Sequence, residues 1–180
     1  MTDTQFERAR LAETGMYRPD MESDACGVGL IAATDGKASR RVVQLGIDAL
    51  KAVYHRGAVD ADGKTGDGAG IHVELPVAFF NQHIERTGHR PHRDSLLAVG
   101  QVFLPRTSLN DQETCRAIVE SEILEFGYRI YGWRQVPVDT SVIGEKARVT
   151  RPEIEQIMIA GPNPGPDYEN QTKFEKDLYL

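Results

Sequence analysis

Residues 54–70 read YHRGAVDADGKTGDGAG, and no regular helix or strand can run through them. The five glycines in this stretch would each weaken either element. It is therefore a long irregular loop, and long loops inside compact domains are either functional or disordered. The rest of the chain must be arranged on either side of it. Upstream, CGVGLIAAT at 26–34 is short, apolar and suited to a buried strand, and Asp35-Gly36 marks a turn. Residues 39–54 place Val42, Leu45, Gly46, Ala49 and Val53 at helical spacing, with Val43, Ile47 and Leu50 alongside. Ser39 fits as the N-cap of that helix.

Downstream of the loop, Gly70–Leu75 alternates as a strand would and is stopped by Pro76, and residues 77–86 suit a short helix. TGHRPHRD is a polar connector, and LLAVGQVFLP at 96–105 predicts a strand ended by proline. Asn110 or Asp111 can cap a helix over 112–126 that carries Cys115, Ile118, Val119, Glu122 and Ile123 on one side. Tyr128–Val136 reads as a strand, 137–152 as a loop, Arg151-Pro152-Glu153 as the opening of a turn or strand, and Ile157–Ala160 as apolar. GPNPGPD at 161–167 is a linker, after which FEKDLYL begins what reads as a final strand. The expected class is α+β, with antiparallel strands and helices packed on them. A last strand without a partner would leave an open edge, so the fold is expected to be unfinished at that point.

The chain has 180 residues, enough to bury a core without metal or disulfide staples. A formal net charge of -6, with lysine and arginine scattered, argues against a nucleic-acid binder, because no basic face could cover many phosphates. No run approaches the roughly 20 apolar residues of a membrane span, and residues 1–25 are too charged for a secretory signal. A cytoplasmic protein is expected, and Cys26 and Cys115 are compatible with a reducing compartment.

Two readings of Cys26 stand side by side on the residues alone. A free cysteine packs as a small hydrophobe, so it can be an inert strand residue. A thiol becomes a strong nucleophile when a base is held beside it, and an N-terminal residue brings its own base, the α-amine with a pKa of about 8. Asp-Ala-Cys-Gly-Val-Gly fits the second logic once a polar leader, residues 1–25, is removed after Ala25. Cys115 lies on an apolar helical face and is read as core. His83, His89 and His92 have no accompanying carboxylate or thiolate spacing for a metal site and are read as solvated surface. His72 falls in the strand read at Gly70–Leu75, and Tyr131 and Trp133 are read as packing residues.

The run CGVGLIAATDGKASRRVVQLGIDALKAVYHRGAVDADGKTGDGAGIHVELP resembles the start of the glutamate synthase large-subunit family. The resemblance continues through LAVGQVFLPR, IYGWRQVPVDTSVIGEKA and TRPEIEQI and so covers nearly the whole chain. It implies that residues 26–180 are the amino-terminal portion of a class II glutamine amidotransferase domain, part of a four-layer αββα Ntn-hydrolase fold. Cys26 then matches the nucleophile that attacks the glutamine side-chain amide, and Arg56 and Gly57 match a His-Arg-Gly element lining the glutaminase pocket. His55 is read as structural, since the α-amine already supplies the base. Gly66, Asp67 and Gly68 match a Gly-Asp-Gly pocket loop whose glycines would allow close backbone approach.

The resemblance also implies partners and groups outside this chain. They are the remainder of the large subunit with FMN and an iron–sulfur cluster in later domains, and a small NADPH-oxidising subunit of the bacterial type. No metal is expected on these residues, since two cysteines cannot ligate a cluster. The family's arginine clamp for the substrate carboxylate and its Asn-Gly oxyanion hole find no match and are expected beyond Leu180. The 180-residue chain alone is accordingly expected to be inactive, either as the start of a glutaminase or as a non-catalytic piece that completes a split domain.

Overall fold

Ile157-Met158-Ile159-Ala160 is apolar at every position, which suits a strand covered on both faces. The computed structural model describes residue 10 and residues 27–54, 57, 59–66, 68–92, 94–165 and 169–179. In it this run closes β3 (Glu153–Ala160), the central strand of a three-stranded antiparallel sheet. Its neighbours are β1 (Leu97–Leu104) and β2 (Arg129–Gln135), both antiparallel to it. Ile157, Met158, Ile159 and Ala160 are all buried.

The described residues fall into two compact units. One takes the chain up to Val59 together with Gly66–His72; the other takes Asp60–Thr65 and everything from Val73 onward. In the second unit the two faces of the sheet carry separate cores. Met158, Ala160 and Tyr131 meet Phe80 and Ile84 of α2 (Val77–Arg86), with Leu75, Leu97 and Val99 at the margin. Ile157 and Ile159 meet Phe174 of α5 (Glu169–Tyr179) and Val119 and Ile123 of α3 (Leu109–Glu125). Burying side chains of this size contributes about 1.5–3 kcal/mol each, so alternation along β3 binds helices to both sides of the sheet.

Small residues set the close approaches. A Cβ on Gly100 would stand 2.9 Å from the Ile157 side chain, its register partner. Strand β2 bulges between Ile130 and Gly132, where Gly132 takes φ 133°. The Thr87 hydroxyl donates to the Tyr131 carbonyl at 2.8 Å there, and this contact fastens the end of α2 to the bulge.

Helix α1 (Arg40–Ala52) lies in the first unit, and the Ser39 hydroxyl accepts the Val42 N–H at 3.4 Å, as the sequence predicts. The turn before it is also present, with the Gly36 N–H bonded to the Ala33 carbonyl and Gly36 at φ 66°. Other expectations need correction. Residues 27–33 and 70–75 form no strand, and Val28 and Leu30 are 94% and 89% exposed. Among the described residues neither segment has a strand beside it, and an apolar run without a ladder partner is not a strand.

The cap of α3 is Ser108, whose hydroxyl accepts the Asp111 N–H at 3.2 Å, and not Asn110 or Asp111 as expected. Its packed face holds Gln112, Arg116, Val119 and Ile123, while Ile118 is 59% exposed. Arg116 reaches across to β3 and donates to both oxygens of Glu155, at 2.8 and 2.6 Å. The loop expected at 137–152 contains a short helix, α4 (Glu145–Thr150). FEKDLY, residues 174–179 of the stretch expected as a strand, belongs to helix α5. Its Lys173–Asp177 and Gln171–Glu175 pairs sit four residues apart, a spacing that brings side chains together on a helix and not on a strand.

Candidate functional site

Among the sequence candidates, Cys26, His55, Arg56 and Asp67 lie outside the described residues, as does the leader apart from residue 10. Gly57, Gly66 and Gly68 are described, and all three are exposed. They belong to the irregular segment that the sequence predicts after α1. The Gly57 N–H turns back to the Tyr54 carbonyl at 3.2 Å, and Val59 then forms an antiparallel bridge with Gly66. Gly68 takes φ 93° with no atom within 4 Å of an added Cβ. Glycine is favoured there by backbone conformation, since L side chains avoid that region.

The turn Asp60–Thr65 belongs to the second unit. The Asp60 N–H donates to the Thr65 carbonyl at 2.7 Å, and the Gly63 N–H donates to the Asp60 carbonyl at 2.9 Å with Gly63 at φ 67°. Asp62 organises the interior. One carboxylate oxygen accepts the Lys64 and Thr65 N–H groups at 2.9 and 2.7 Å, and the other accepts the Thr65 hydroxyl at 2.6 Å. Short polar side chains of this kind favour turns because they satisfy nearby backbone donors.

Those donors lower the Asp62 carboxyl from 3.8 to about 2, the Thr65 hydroxyl contributing most and the Thr65 and Lys64 N–H groups next. The folded pKa lies below the unfolded one. Its stabilisation is thus complete above about pH 4 and is lost as the pH falls through the folded pKa of about 2. Carbon-detected NMR of the Asp62 carboxyl should show a midpoint near 2, and loosening of the Thr65 amide over the same range. A midpoint at 3.8 would contradict this account of the turn.

A second segment touches the turn from outside. Lys146 pairs with Asp60 at 2.5 Å, and Gly144, the N-cap of α4, lies against Asp62 and Thr65. The Asp-Gly dipeptide in ADGKT announces a turn. Nothing in the sequence announces that Gly144 and Lys146 meet it.

The remaining candidates have structural partners. His83 is half-buried, with its Nε2 accepting the Arg134 Nε–H at 3.2 Å and its ring edge-on to Phe79. Burial first, and then the Arg134 and Arg86 charges, lower its pKa. His83 is therefore not the solvated residue expected, while His89 and His92 are exposed beside Tyr131. His72 is exposed and lies in no strand. Among the described residues no group of three His, Cys, Asp or Glu side chains could hold a metal ion. Cys115 is a half-buried free thiol on α3. Tyr131 is buried, and Trp133 packs on the α3 face with its indole N–H bonded to Glu120 at 2.6 Å. No described helix is long and apolar enough to cross a membrane.

The family of class-II glutamine amidotransferases matches residues 26–180. All 180 residues align with the glutamate synthase [NADPH] large chain of Azospirillum brasilense at 61% identity, covering 12% of that protein. The corresponding large chain of Bacillus subtilis is 33% identical over 180 residues, covering 11% of its length. Glutamate synthase [NADH] of Saccharomyces cerevisiae is 36% identical over 173 residues, 92% of this chain and 8% of that one. The chain thus spans 12% or less of these curated relatives.

Proposed function

This chain belongs to the class-II glutamine amidotransferases, and from that premise we infer that it hydrolyses glutamine as the glutaminase part of a glutamate synthase. The observation that carries the reading is where the family match begins, at Cys26 with 25 residues in front of it. Removal of that leader makes the thiol terminal, and the freed α-amine, with a pKa of about 8, can take the thiol proton. The thiolate adds to the side-chain amide carbon of glutamine, the C–N bond breaks, and ammonia leaves with the proton. Water then cleaves the γ-glutamyl thioester, giving glutamate and restoring the thiol. Arg56 and Gly57 line the pocket in this reading, and Gly66, Asp67 and Gly68 form its loop.

The names of the relatives support placing this domain at the head of a glutamate synthase large subunit, with NADPH as the ultimate reductant. There the ammonia passes to 2-oxoglutarate, using FMN and an iron–sulfur cluster in later domains, and a small subunit oxidises NADPH. A four-layer αββα sandwich is what the family implies. Each of its sheets would carry helices on one face and the other sheet on the second, whereas the described sheet carries helices on both faces. A cytoplasmic enzyme is the matching location.

The test is the amino terminus of the active protein. Intact-mass and terminal-peptide analysis should find Cys26 as the first residue. Fully active enzyme that retains residues 1–25 would overturn the terminal-nucleophile mechanism.

A further inference from the structure

We propose that His83 and Arg134 form a proton-sensitive latch, which fastens α2 to β2 while His83 is neutral and slackens when His83 takes a proton. The latch lies wholly within the second unit and does not depend on the glutaminase reading. Arg134 stands in a polar row that crosses the sheet, with Gln156 and then Gln101 as successive register partners. Its guanidinium donates to the Gln156 Oε1 at 2.7 Å, and the Gln156 amide donates in turn to the Gln101 Oε1 at 3.4 Å. Helix α2 grips the same guanidinium twice, through residues four apart and so on one helix face. The Arg134 Cζ lies 4.9 Å over the centre of the Phe79 ring, and its Nε–H meets the His83 Nε2 at 3.2 Å.

Arginine has donors only, so this bond requires the His83 Nε2 to accept and the ring to carry its proton on Nδ1. A second proton would occupy the lone pair that the bond uses. Two N–H groups and two positive charges would then face each other. Arg134 cannot shed its own proton, and turning away would cost it both Gln156 and the Phe79 ring. The contact between α2 and β2 is what gives way.

The groups around His83 offer no counter-charge among the described residues. Strand β2 presents Arg134, while β3 and β1 present the neutral Gln156 and Gln101. Arg86, on α2 itself, adds a further positive charge. Glu85 instead lines an open cavity with His89 and Arg90, and the His89 ring lies against Tyr131. Burial first, then Arg134 and Arg86, keep the His83 pKa below its ordinary 6.5. The folded pKa thus lies below the unfolded one. The latch contributes fully above about pH 6.5 and is lost as the pH falls through the folded value. Phe80 and Ile84 stay buried and Thr87 still bonds to the Tyr131 carbonyl, so α2 loosens without leaving the sheet.

The test uses the full-length enzyme and two exchange measurements read by mass spectrometry. Exchange at the histidine C2 position gives the His83 midpoint, and amide exchange over residues 77–86 gives the hold on α2. The midpoint should lie below 6.5 and move upward in Arg134→Met. As the pH falls from about 7.5 through that midpoint, amide protection, corrected for the intrinsic rate, should drop about fivefold, the scale of one lost hydrogen bond. In His83→Gln it should stay constant, because the side-chain carbonyl accepts the Arg134 N–H at either pH. A wild-type midpoint at or above 6.5 overturns the proposal, as does an equal acid loss of protection in wild type and His83→Gln. If the variants fail to fold, the wild-type protein decides alone: protection of α2 that does not change across the His83 midpoint overturns the latch.

Discussion

Cys26→Ala in the full-length enzyme is expected to abolish glutamine-dependent glutamate synthesis and leave synthesis from added ammonia at its wild-type rate. The asymmetry follows from the chemistry. In the proposed reaction the thiol forms the covalent intermediate, and removing such a nucleophile costs on the order of a million-fold in turnover. Ammonia supplied directly bypasses that intermediate and needs nothing from the thiol. Cys26→Ser keeps the terminal amine as base but replaces the sulfur with a far less acidic hydroxyl, so it should fall close to the alanine variant. Steady-state assays with saturating glutamine or ammonium decide the matter. Equal loss of both activities would remove Cys26 from the role assigned to it.

The candidate site was legible as a motif far more than as a geometry. Cysteine beside two glycines says little by itself. The long run from Cys26 to Gly70 says much more, because it places a thiol, an arginine element and a glycine-rich loop in one pattern. The bridge between Val59 and Gly66 was not legible, since it forms inside a segment with no periodicity. The clamp on the turn was less legible still. Gly144 ends a mixed polar and apolar stretch, residues 137–143, and its meaning appears only when a distant turn is seen to leave no room for a side chain. A glycine with ordinary φ and ψ carries no local signal.

The fold divides in a similar way. Elements with a clear period and clear stops were readable: α1, α2, β1 and β2 lie where their patterns place them. Segments 26–34 and 70–75 show strand-like composition, but the described parts of both stand exposed and unladdered. Composition reports what a strand would bury, and only a neighbouring strand decides whether it forms. Helix α3 misled differently. Its apolar residues are spread around the axis, so the packed face was chosen by the sheet beneath it and the cap by Ser108. For FEKDLYL, a short apolar alternation competed with charge pairs at four-residue spacing, and the pairs were the better guide.

Phe174→Ala measures how firmly that last helix is built in. Phe174 is 3% exposed, its ring lies 4.8 Å from that of Tyr128, and it packs against Ile157 and Ile159. A Cβ on Gly161 would stand 2.6 Å from the Phe174 ring, so the backbone of the 161–165 segment closes directly over it. Truncation would open a cavity that β3 cannot relax to fill, and such losses cost about 3–5 kcal/mol. That is a large share of a domain stability of roughly 5–15 kcal/mol. Leu178, 41% exposed on the same helix, provides the contrast: Leu178→Ala should stay within about 0.5 kcal/mol. Asp177→Ala should destabilise in the same direction as Phe174→Ala, because its carboxylate accepts the Tyr128 hydroxyl at 2.6 Å. In a strand, residues 174 and 177 would point to opposite faces and only one could matter. Hydrogen exchange along β3, read by mass spectrometry, should accelerate sharply in Phe174→Ala and clearly in Asp177→Ala. Protection that is unchanged in both would mean that α5 is not part of the core on that face of the sheet.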